Sequence, residues 1–342
     1  MTMDLAAAPR AMELTDVTPA RFAELAATAF YRPFVMRGVA RSWPSVRAAQ
    51  GGPAAMAAYL RQFDGGRPIR MFAAGPDAEG RFFYGEDLNG FNFRKAQVTL
   101  PVLLDVLLAE REQPRPASIY AGSAPTPEAY PGWAEENVLA LQTPGAVPRL
   151  WLGNSSRAST HYDMSDNVAV VVSGRRRFVL FPPDQVANLY VGPLENTIAG
   201  QPTSMVDLEQ PDLARYPRFA DAAATMQVAD LEPGDAIFIP SLWWHDVRAT
   251  GPLNVLVNYW WGQSEQGSPF AAMMHAVLAV RELPGGQREA LRSWFDHYVF
   301  AADAPHAADH LPPSMRGVLG PPSPERDRSI RNYLKRMLEN GN

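Results

Sequence analysis

The sequence predicts a mainly β fold with helices, in which a sandwich or barrel of short strands forms the middle of the chain. The first observation is a series of short apolar runs between turn residues from about Ser118 onward, which is typical of such folds. The second is a mixture of helical and strand patterns before it, and the third is helical apolar spacing after Pro269. We therefore expect an N-terminal α/β region at residues 1–117, a β core at 118–268 and a helical region at 269–342.

The N-terminal region alternates between helical and extended patterns. Thr18 is a suitable N-cap for a helix that begins at Pro19, because its side chain can accept a hydrogen bond from the first turn. Pro101 stands at an early position of another apolar helical pattern, where proline is tolerated. Helices are thus predicted over residues 19–25, 54–63 and 100–110, and strands over 33–38, 69–72 and 81–84.

The β core is predicted from short apolar runs at residues 119–120, 149–152, 168–172, 178–181, 236–239 and 253–261. Ser173-Gly174-Arg175 separates two of these runs, so we expect a hairpin there. The stretch 183–227 is rich in proline and polar residues and has little periodicity. A segment of that length inside a compact domain is usually a lid, a binding loop or an insertion.

The C-terminal region has apolar spacing that predicts helices over residues 270–280, 286–300 and 326–338. Such an appendage can hold two copies of a chain together or cap the core. Both alternatives stay open, and the first would make the protein a homodimer. The histidines of this region are scattered, and we interpret them as surface or structural residues; they are His275, His297, His306 and His310.

The composition excludes several kinds of chemistry and partner. The chain has 342 residues and no cysteine, which excludes disulfides, thiolate metal sites and cysteine nucleophiles and fits a reducing compartment. A net charge of −5 gives no electrostatic case for nucleic acid or an anionic membrane as the main partner. There is no signal-peptide core at the start and no apolar run that could span a bilayer, so a soluble, cytoplasmic protein is expected.

His161, Asp163 and His245 are the strongest candidates for a functional site. Residues i and i+2 of a strand point to the same face, so His161 and Asp163 can reach one ion together. The stretch 234–240 is typical of a turn and a buried strand, and His245 follows it, where a strand should end. Two histidines and one carboxylate form the facial triad that binds non-haem Fe(II) and leaves its other positions open. The alternatives are ordinary buried histidines or a closed zinc site, which usually needs a fourth ligand, often cysteine.

Arg176 is the candidate for binding an anionic ligand. It lies in the basic run Arg175-Arg176-Arg177, and such runs are usually solvated. If Phe178 and Leu180 face the core, however, Arg176 shares their face. An arginine that points inward needs an anion, and a dicarboxylate would supply one.

Two asparagines and a tryptophan occupy alternate strand positions that would place them on one face, as expected of a polar pocket lining. Asn258 interrupts an apolar strand pattern, and because asparagine is a poor strand former it calls for a buried partner. Trp260 shares the strand face of Asn258. Asn167 has the same parity as His161 and Asp163 if no bulge intervenes.

Further short motifs follow these residues in order along the core. They are His161-Tyr162-Asp163, Asp166-Asn167, Gly174-Arg175-Arg176-Arg177-Phe178, Leu180-Phe181-Pro182-Pro183, Pro233-Gly234-Asp235, Ile239-Pro240, Trp243-Trp244-His245 and Val257-Asn258-Tyr259-Trp260. Together they resemble the JmjC or cupin-like family of Fe(II)/2-oxoglutarate oxygenases over about residues 120–261, and residues 33–44 and 82–93 resemble the N-terminal part of that family. The nearest functional relative that we can name is the asparaginyl hydroxylase that acts on hypoxia-inducible factor.

The resemblance implies a double-stranded β-helix, or jelly roll, in which two antiparallel sheets fold into a squashed barrel with the metal at one mouth. It implies that His161, Asp163 and His245 bind Fe(II) and that 2-oxoglutarate and O₂ bind to the iron. It also implies that Arg176 pairs with the distal carboxylate of 2-oxoglutarate, where the named relative has a lysine. Arginine suits that role because it offers a bidentate fork to a carboxylate.

The resemblance also implies a set of supporting contacts to the co-substrate, from Tyr120, Asn167, Asn258, Thr160 and Trp260. Relatives place a threonine three residues before the first histidine, whereas this chain has Ala158 there. A neighbouring hydroxyl, that of Ser159 or Thr160, would have to supply the contact.

The expected function is an Fe(II)/2-oxoglutarate-dependent dioxygenase that hydroxylates an unactivated C–H bond. A protein or peptide side chain is the expected substrate, with a small molecule as the alternative, and neither nucleic acid nor a membrane is an expected partner. Two other classes remain open. A metal-dependent cupin enzyme without 2-oxoglutarate, such as an isomerase, is favoured if Arg176 faces solvent. A non-catalytic cupin-like binding module is favoured if the folded protein binds no metal.

Overall fold

The computed structural model describes residues 5, 7–27, 32–86, 88–141, 143–262 and 267–339. The chain divides into two compact units, Met1–Gln263 and Ser264–Asn342. The three-region organisation expected from the sequence stays a prediction. No helix within the described residues has both the length and the apolarity that crossing a membrane requires.

In the described part of the first unit eleven strands form one large mixed sheet, which confirms the predicted mainly β fold with helices. They are β1 (Met12–Leu14), β2 (Phe34–Met36), β3 (Ile69–Ala74), β4 (Arg94–Val98), β5 (Ser118–Pro125), β6 (Arg149–Gly153), β7 (Ser156–His161), β8 (Asp166–Phe181), β9 (Gln227–Leu231), β10 (Ala236–Ile239) and β11 (Trp244–Trp261). The main path runs β1-β2-β10-β8-β11-β6-β5-β3-β4, with β7 paired to β11 and β9 paired to β8. Among the described residues the two ends of this path do not pair, so the sheet is not a closed barrel.

Seven helices accompany the sheet in the described part of the first unit. They are α1 (Pro19–Ala26), α2 (Pro44–Gln50), α3 (Pro53–Arg61), α4 (Leu100–Glu110), α5 (Thr126–Ala129), α6 (Trp133–Glu136) and α7 (Phe219–Thr225). Thr18 caps α1 as predicted, because its hydroxyl accepts a hydrogen bond from the backbone N–H of Arg21. The strand predicted over residues 81–84 is wrong: Arg81 and Tyr84 make only single bridging pairs, with Arg157 and Phe91.

The long strands β8 and β11 organise the centre of the sheet. The first half of β8 pairs with β10 and with the end of β11, and the second half pairs with β9 and with the start of β11. Correspondingly, β6 pairs with the end of β11 and β7 with its start. The two strands therefore pass through two halves of the sheet, and residues from both halves line one pocket.

The hairpin predicted at Ser173-Gly174-Arg175 is wrong. The two apolar runs that flank it are parts of the single strand β8, and each pairs with β11 rather than with the other. Gly174 has φ of +76°, which glycine adopts without steric cost, and the pairing register shifts beside it. The glycine therefore bends the strand instead of reversing it.

Apolar packing holds the two halves together. The run of β-branched residues in β8 suits a strand that is buried on both faces. Val170 and Val257 face a core shared with the N-terminal helices, which contribute Leu60 and Leu104. A second core joins the two halves and includes Val171, Phe178, Ile237, Val247 and Leu256.

The stretch 183–227 packs against the strands that carry the candidate site. Thr203 forms an isolated antiparallel β-bridge with His161. The backbone N–H of Ser204 donates to the carbonyl of Thr160 at 2.8 Å. Residues of this stretch also line the pocket, namely Ile198, Ala199, Gln201 and Thr203. The role of this stretch as a lid, a binding loop or an insertion stays a prediction.

The second unit is helical, as the apolar spacing predicts. Its α-helices are α8 (Pro269–Ala279), α9 (Gly285–Phe295) and α10 (Pro324–Glu339). Several large apolar side chains of this unit are more than half exposed, among them Leu278 (74%), Trp294 (65%), Phe300 (71%) and Leu338 (59%).

Candidate metal centre and its pocket

His161, Asp163 and His245 come together in the pocket. One potential ligand atom from each lies within 4.8 Å of the others. His161 is the last residue of β7, Asp163 follows two residues later, and His245 pairs directly with His161 across the antiparallel strands. We expected His245 at the end of a strand, but β10 ends at Ile239 and His245 lies at the start of β11. The centroids of the two imidazole rings are 4.4 Å apart.

Both imidazoles are oriented by the backbone carbonyl two residues earlier. His161 Nδ1 lies 2.9 Å from the carbonyl oxygen of Ser159, and His245 Nδ1 lies 3.0 Å from that of Trp243. A carbonyl oxygen only accepts hydrogen bonds, so each Nδ1 carries the proton. The lone pair of each Nε2 is therefore free to bind a metal, which is the usual way in which a protein fixes a histidine ligand.

Asp163 is held by two further contacts. The indole Nε1 of Trp260 donates to Asp163 Oδ2 at 3.2 Å. The backbone N–H of Leu242 donates to the carbonyl of Asp163 at 2.8 Å. Leu242 has φ of +67°, a conformation that is costly for leucine and that recurs beside functional sites.

The chemistry of the three side chains suits a divalent metal. Burial lowers the pKa of His245 to about 4, His161 adds to this effect, and Asp163 opposes it. His245 is therefore neutral at physiological pH, and a neutral imidazole is the form that binds metals. His245 Nε2 and Asp163 Oδ2 are 3.8 Å apart, a separation at which both can reach one ion. The donor set fits a non-haem Fe(II) centre.

Arg176 lies in the interior of the same pocket and is only 4% exposed. It shares a strand face with Phe178, as alternation predicts. Burial lowers the pKa of its guanidinium, and the hydrogen-bonded hydroxyl of Tyr120 opposes that effect. Its Nε is buried and has no hydrogen-bond partner among the described residues. Because an uncompensated buried cation is unfavourable, this arginine suits a carboxylate ligand.

Tyr120, Asn167, Asn258 and Trp260 line the pocket with Arg176, where the sequence places them. Burial raises the pKa of Tyr120, so its phenol stays protonated although Arg176 opposes the shift. Asn258 Nδ2 donates to Asn167 Oδ1 at 2.6 Å, and this is the buried partner that Asn258 requires. The pocket therefore combines the metal ligands, a buried cation and neutral polar groups.

Thr160 is the one expected contact that the structure does not bring together with the others. Its side chain is fully buried but does not line the pocket, and its hydroxyl lies 3.5 Å from Asp246 Oδ2. The cause is strand alternation, because Thr160 lies between Ser159 and His161, which both line the pocket, and so faces the opposite side with Asp246. We therefore do not carry Thr160 forward as a co-substrate contact, whereas Ser159 does line the pocket.

Sequence reasoning missed the aromatic wall of the pocket. The ring of Trp151 stacks on Tyr120 at 5.5 Å between centroids and meets Trp260 edge to face at 5.9 Å. Phe72 and Phe82 extend the wall of a cavity of about 310 Å³. Gly122 makes room for this wall, because a Cβ there would lie 1.9 Å from the ring of Trp151. No local motif marks these residues, since separate parts of the chain supply them.

A network of charged residues, also unforeseen, lies behind the metal ligands. We call it the charge network; it consists of Arg81, Arg157, Asp207, Glu209, Asp246 and Arg248 and lines a cavity of about 40 Å³. His245 and Val247 face the pocket, whereas Asp246 and Arg248 face this second cavity, so β11 separates the two. Burial raises the pKa of Asp246 to about 7; Asp207 adds to the shift, and Arg81 and Arg157 oppose it.

Comparison with known proteins gives the chain a family context. The family described as "Cupin-like domain" matches residues 19–267. Lysine-specific demethylase JMJ31 of Arabidopsis thaliana is 36% identical over 164 residues, which is 44% of this chain and 29% of the demethylase. tRNA wybutosine-synthesizing protein 5 of Danio rerio is 35% identical over 125 residues, or 36% of this chain and 32% of that protein. Jumonji C domain-containing protein 5 of Drosophila melanogaster is 36% identical over 121 residues, or 35% and 29%. Each match covers less than a third of the relative's own length.

Proposed function

The chain belongs to the family of cupin-like domains, and on that basis we propose that it is an Fe(II)/2-oxoglutarate-dependent oxygenase. One observation carries the proposal: a single pocket holds the cluster of His161, Asp163 and His245 together with a buried arginine whose Nε has no partner among the described residues. The cluster suits an open-sited metal, and Arg176 suits a dicarboxylate that reaches that metal.

In this proposal His161, Asp163 and His245 hold Fe(II), and Arg176 with Tyr120 holds the far carboxylate of 2-oxoglutarate. Iron, 2-oxoglutarate and O₂ together supply the oxidant that hydroxylates an unactivated C–H bond. The protein orients the ligands through the carbonyls of Ser159 and Trp243 and through the indole of Trp260. Its aromatic wall excludes water, and no side chain needs to act as an acid or a base.

The buried position of Arg176 argues against a cupin enzyme that works without 2-oxoglutarate. That alternative is favoured if Arg176 faces solvent, whereas the side chain is 4% exposed inside the pocket. The non-catalytic binding module is disfavoured because a module without catalysis has no physical need for three convergent metal ligands. Both alternatives remain as outcomes of the test below.

The proposal is tested by anaerobic titration of the apoprotein with Fe(II) and then with 2-oxoglutarate, while the visible charge-transfer band of the chelate is recorded. We expect a saturable band in the wild type and none in His161→Ala. His275→Ala is the matched control, since that histidine belongs to helix α8 and to no group of convergent metal-binding side chains among the described residues, and it should behave as the wild type. Iron binding without a band would indicate a cupin enzyme that does not use 2-oxoglutarate. No metal binding by a folded protein would leave the binding module.

For the substrate we propose a protein or peptide side chain, with a small molecule as the alternative. The walls formed by Trp151, Phe72 and Phe82 suit an uncharged group, and in the described lining the only carboxylate is that of Asp163. One relative is named for lysine demethylation and another for tRNA wybutosine synthesis. RNA therefore belongs in the substrate screen, although the net charge of −5 disfavours it.

We further propose that the protein is a cytoplasmic homodimer. The absence of cysteine fits a reducing compartment. The exposed side chains of Leu278, Trp294 and Phe300 would leave a large apolar area in water unless a second copy covered it. Light scattering on Leu278→Glu/Trp294→Glu should give the monomer mass, and an unchanged mass would contradict the proposed dimer surface.

A further inference from the structure

We infer that Arg81 is a positioning residue of the metal centre. Through its contact with Ser159, Arg81 fixes the segment of β7 that presents His161. The inference rests on the proposed metal site and adds a residue that belongs to no motif. Arg81 is distant from His161 in sequence and outside every strand and helix described above.

The segment before His161 is a bulge that needs support from outside the sheet. His161 pairs with His245, and Ala158 pairs with Val247. Between these two pairs β7 advances three residues, whereas β11 advances only two. Two residues of β7, Ser159 and Thr160, therefore stand opposite the single residue Asp246 of β11. A bulge interrupts the ladder of backbone hydrogen bonds and redirects the side chains beside it, so other contacts must fix the direction of His161.

Arg81 supplies such a contact in a short chain that ends at the imidazole. Arg81 Nε donates to the hydroxyl of Ser159 at 3.3 Å. The carbonyl of the same serine accepts the hydrogen bond from His161 Nδ1 at 2.9 Å. The residue that Arg81 holds is therefore the one that selects the tautomer and the ring orientation of His161.

Arg81 is itself held firmly. Its Nη1 donates to Asp207 Oδ2 at 3.0 Å, and its guanidinium lies 3.8 Å from the ring centroid of Phe83. Asp207 belongs to the stretch 183–227, which also lines the pocket. Arg81 thus joins three segments that are far apart in sequence, and one of them carries a metal ligand.

The charge network adds a second reason for the arrangement. Arg81 and Arg157 both approach Asp207, at 3.0 and 3.7 Å, and all three line the same cavity as Asp246. Asp246 directly precedes Val247 on β11 and follows His245, and the hydroxyl of Thr160 lies 3.5 Å from its carboxylate. Loss of Arg81 would therefore disturb both strands that present histidine ligands, whereas neither histidine would lose a direct contact.

The test uses Co(II), because its visible d–d absorption reports the number and geometry of the ligands without turnover. The full chain is titrated with Co(II) as wild type, Arg81→Met, Arg81→Lys and Ser159→Ala. For Arg81→Met we expect a loss of Co(II) affinity of about 10- to 100-fold, as is usual when an outer partner of a metal ligand is removed, with altered band positions. Ser159→Ala should show a smaller, several-fold loss. Arg81→Lys keeps a charge beside Asp207 but lacks the Nε donor, so it should restore the affinity in part.

Arg37→Met is the matched control, because Arg37 also joins distant segments through ion pairs, with Glu13 and Asp235, but does not line the pocket. It should lower the melting temperature and leave the Co(II) spectrum unchanged. Wild-type affinity and spectrum in both Arg81→Met and Ser159→Ala, or an equal loss of affinity in Arg37→Met, would overturn the inference. If Arg81→Met does not fold, Ser159→Ala decides alone. A wild type that binds no Co(II) would instead overturn the metal site itself, and the inference with it.

Discussion

Trp260 donates its indole N–H to Asp163 Oδ2 at 3.2 Å, although the two residues are 97 positions apart in the sequence. This contact fixes the carboxylate beside the two histidines, so that Asp163 presents an oxygen to the same point as their Nε2 atoms. The role of Trp260 inferred from the family resemblance was contact with the co-substrate. The observed hydrogen bond gives it a more specific part, which is the orientation of the carboxylate that we propose binds the metal.

Trp260→Phe should therefore weaken metal binding while it preserves the fold. Phenylalanine keeps the aromatic contact with Trp151 but has no donor for Asp163. We expect Co(II) or Fe(II) to bind about 10-fold more weakly, measured by anaerobic titration. Trp261→Phe is the control, since the next residue packs on Phe22 and Phe238 away from the pocket. Equal metal affinity in the two variants would show that the hydrogen bond has no role.

Arg176→Met should separate co-substrate binding from stability. The variant loses charge-assisted hydrogen bonds to the carboxylate, so the Kd for 2-oxoglutarate should rise at least about 10-fold, whereas iron affinity stays as in the wild type. The apoprotein should become more stable, by about 1 kcal/mol or more, because an apolar side chain replaces a buried cation whose Nε has no partner among the described residues.

Thermal unfolding with and without 2-oxoglutarate checks both parts of this prediction. The ligand should raise the Tm of the wild type and leave that of Arg176→Met unchanged. Arg175→Met is the control, because Arg175 is the exposed neighbour paired with Glu232, and it should change neither quantity. A variant that binds 2-oxoglutarate as well as the wild type would remove Arg176 from its proposed role.

Gly122→Ala should displace the aromatic wall. The new Cβ would lie 1.9 Å from the ring of Trp151, which is fixed on both sides by Tyr120 and Trp260. We expect destabilisation of about 1–3 kcal/mol, as for other overpacked sites, together with a shift of tryptophan fluorescence and weaker 2-oxoglutarate binding. Gly75→Ala is the control, because nothing lies within 4 Å of its Cβ position. If the two substitutions had the same effect, the close approach would not constrain the pocket.

The ion pairs of Asp230 should give the protein a small acid-dependent part of its stability. Burial acts to raise the pKa of Asp230, but hydrogen bonds from Arg177 and Arg10 outweigh it, so the pKa lies below its ordinary value. A carboxylate with a lowered pKa in the folded state stabilises above its unfolded pKa, and this contribution disappears as the pH falls through the folded value. Asp230→Asn should cost less than about 1 kcal/mol at pH 7, since the side chain is 43% exposed.

Urea unfolding at several pH values measures this contribution. The difference between wild type and Asp230→Asn should be constant from neutral pH down to about 4 and should shrink below that, where the wild-type carboxylate becomes protonated. Asp77→Asn, which breaks the highly exposed pair with Arg115, should have no measurable effect. A difference that grew as the pH fell would contradict the sign of the pKa shift.

Local patterns were enough to select His161, Asp163 and His245 as candidate metal ligands, because the chemistry of each resides in its own side chain; their role stays a prediction. The His-x-Asp spacing and the distant His245 needed only strand alternation to be placed together. The same alternation gave the inward face of Arg176 from its neighbours Phe178 and Leu180. The same alternation places Thr160, which lies between Ser159 and His161, on the opposite face toward Asp246, and the expected co-substrate contact of Thr160 did not take this into account.

Breaks in strand regularity were the main cause of error. In the first part of β8 the residues that line the pocket are odd-numbered, namely Asn167 and Ala169. In the second part they are even-numbered, namely Arg176 and Phe178. The parity changes because β8 has an extra residue just before Gly174: it advances from Val171 to Ser173 while β11 advances by one residue. The glycine beside it, which has positive φ, was interpreted as a hairpin turn. A sequence pattern shows that a glycine interrupts a regular strand, but it does not show whether the chain reverses there or only bends.

The sequence by itself determined the mainly β fold with helices, the choice of His161, Asp163 and His245, and the chemistry that such ligands can support, because periodicity and side-chain identity are local properties. Only the tertiary structure decided that Trp260 orients Asp163, that Trp151 and Gly122 shape the pocket, and that Arg81 supports the strand of His161. Those relationships join segments that are distant along the chain. They depend on strand register and bulges, which long-range packing sets and which no short window of the sequence contains.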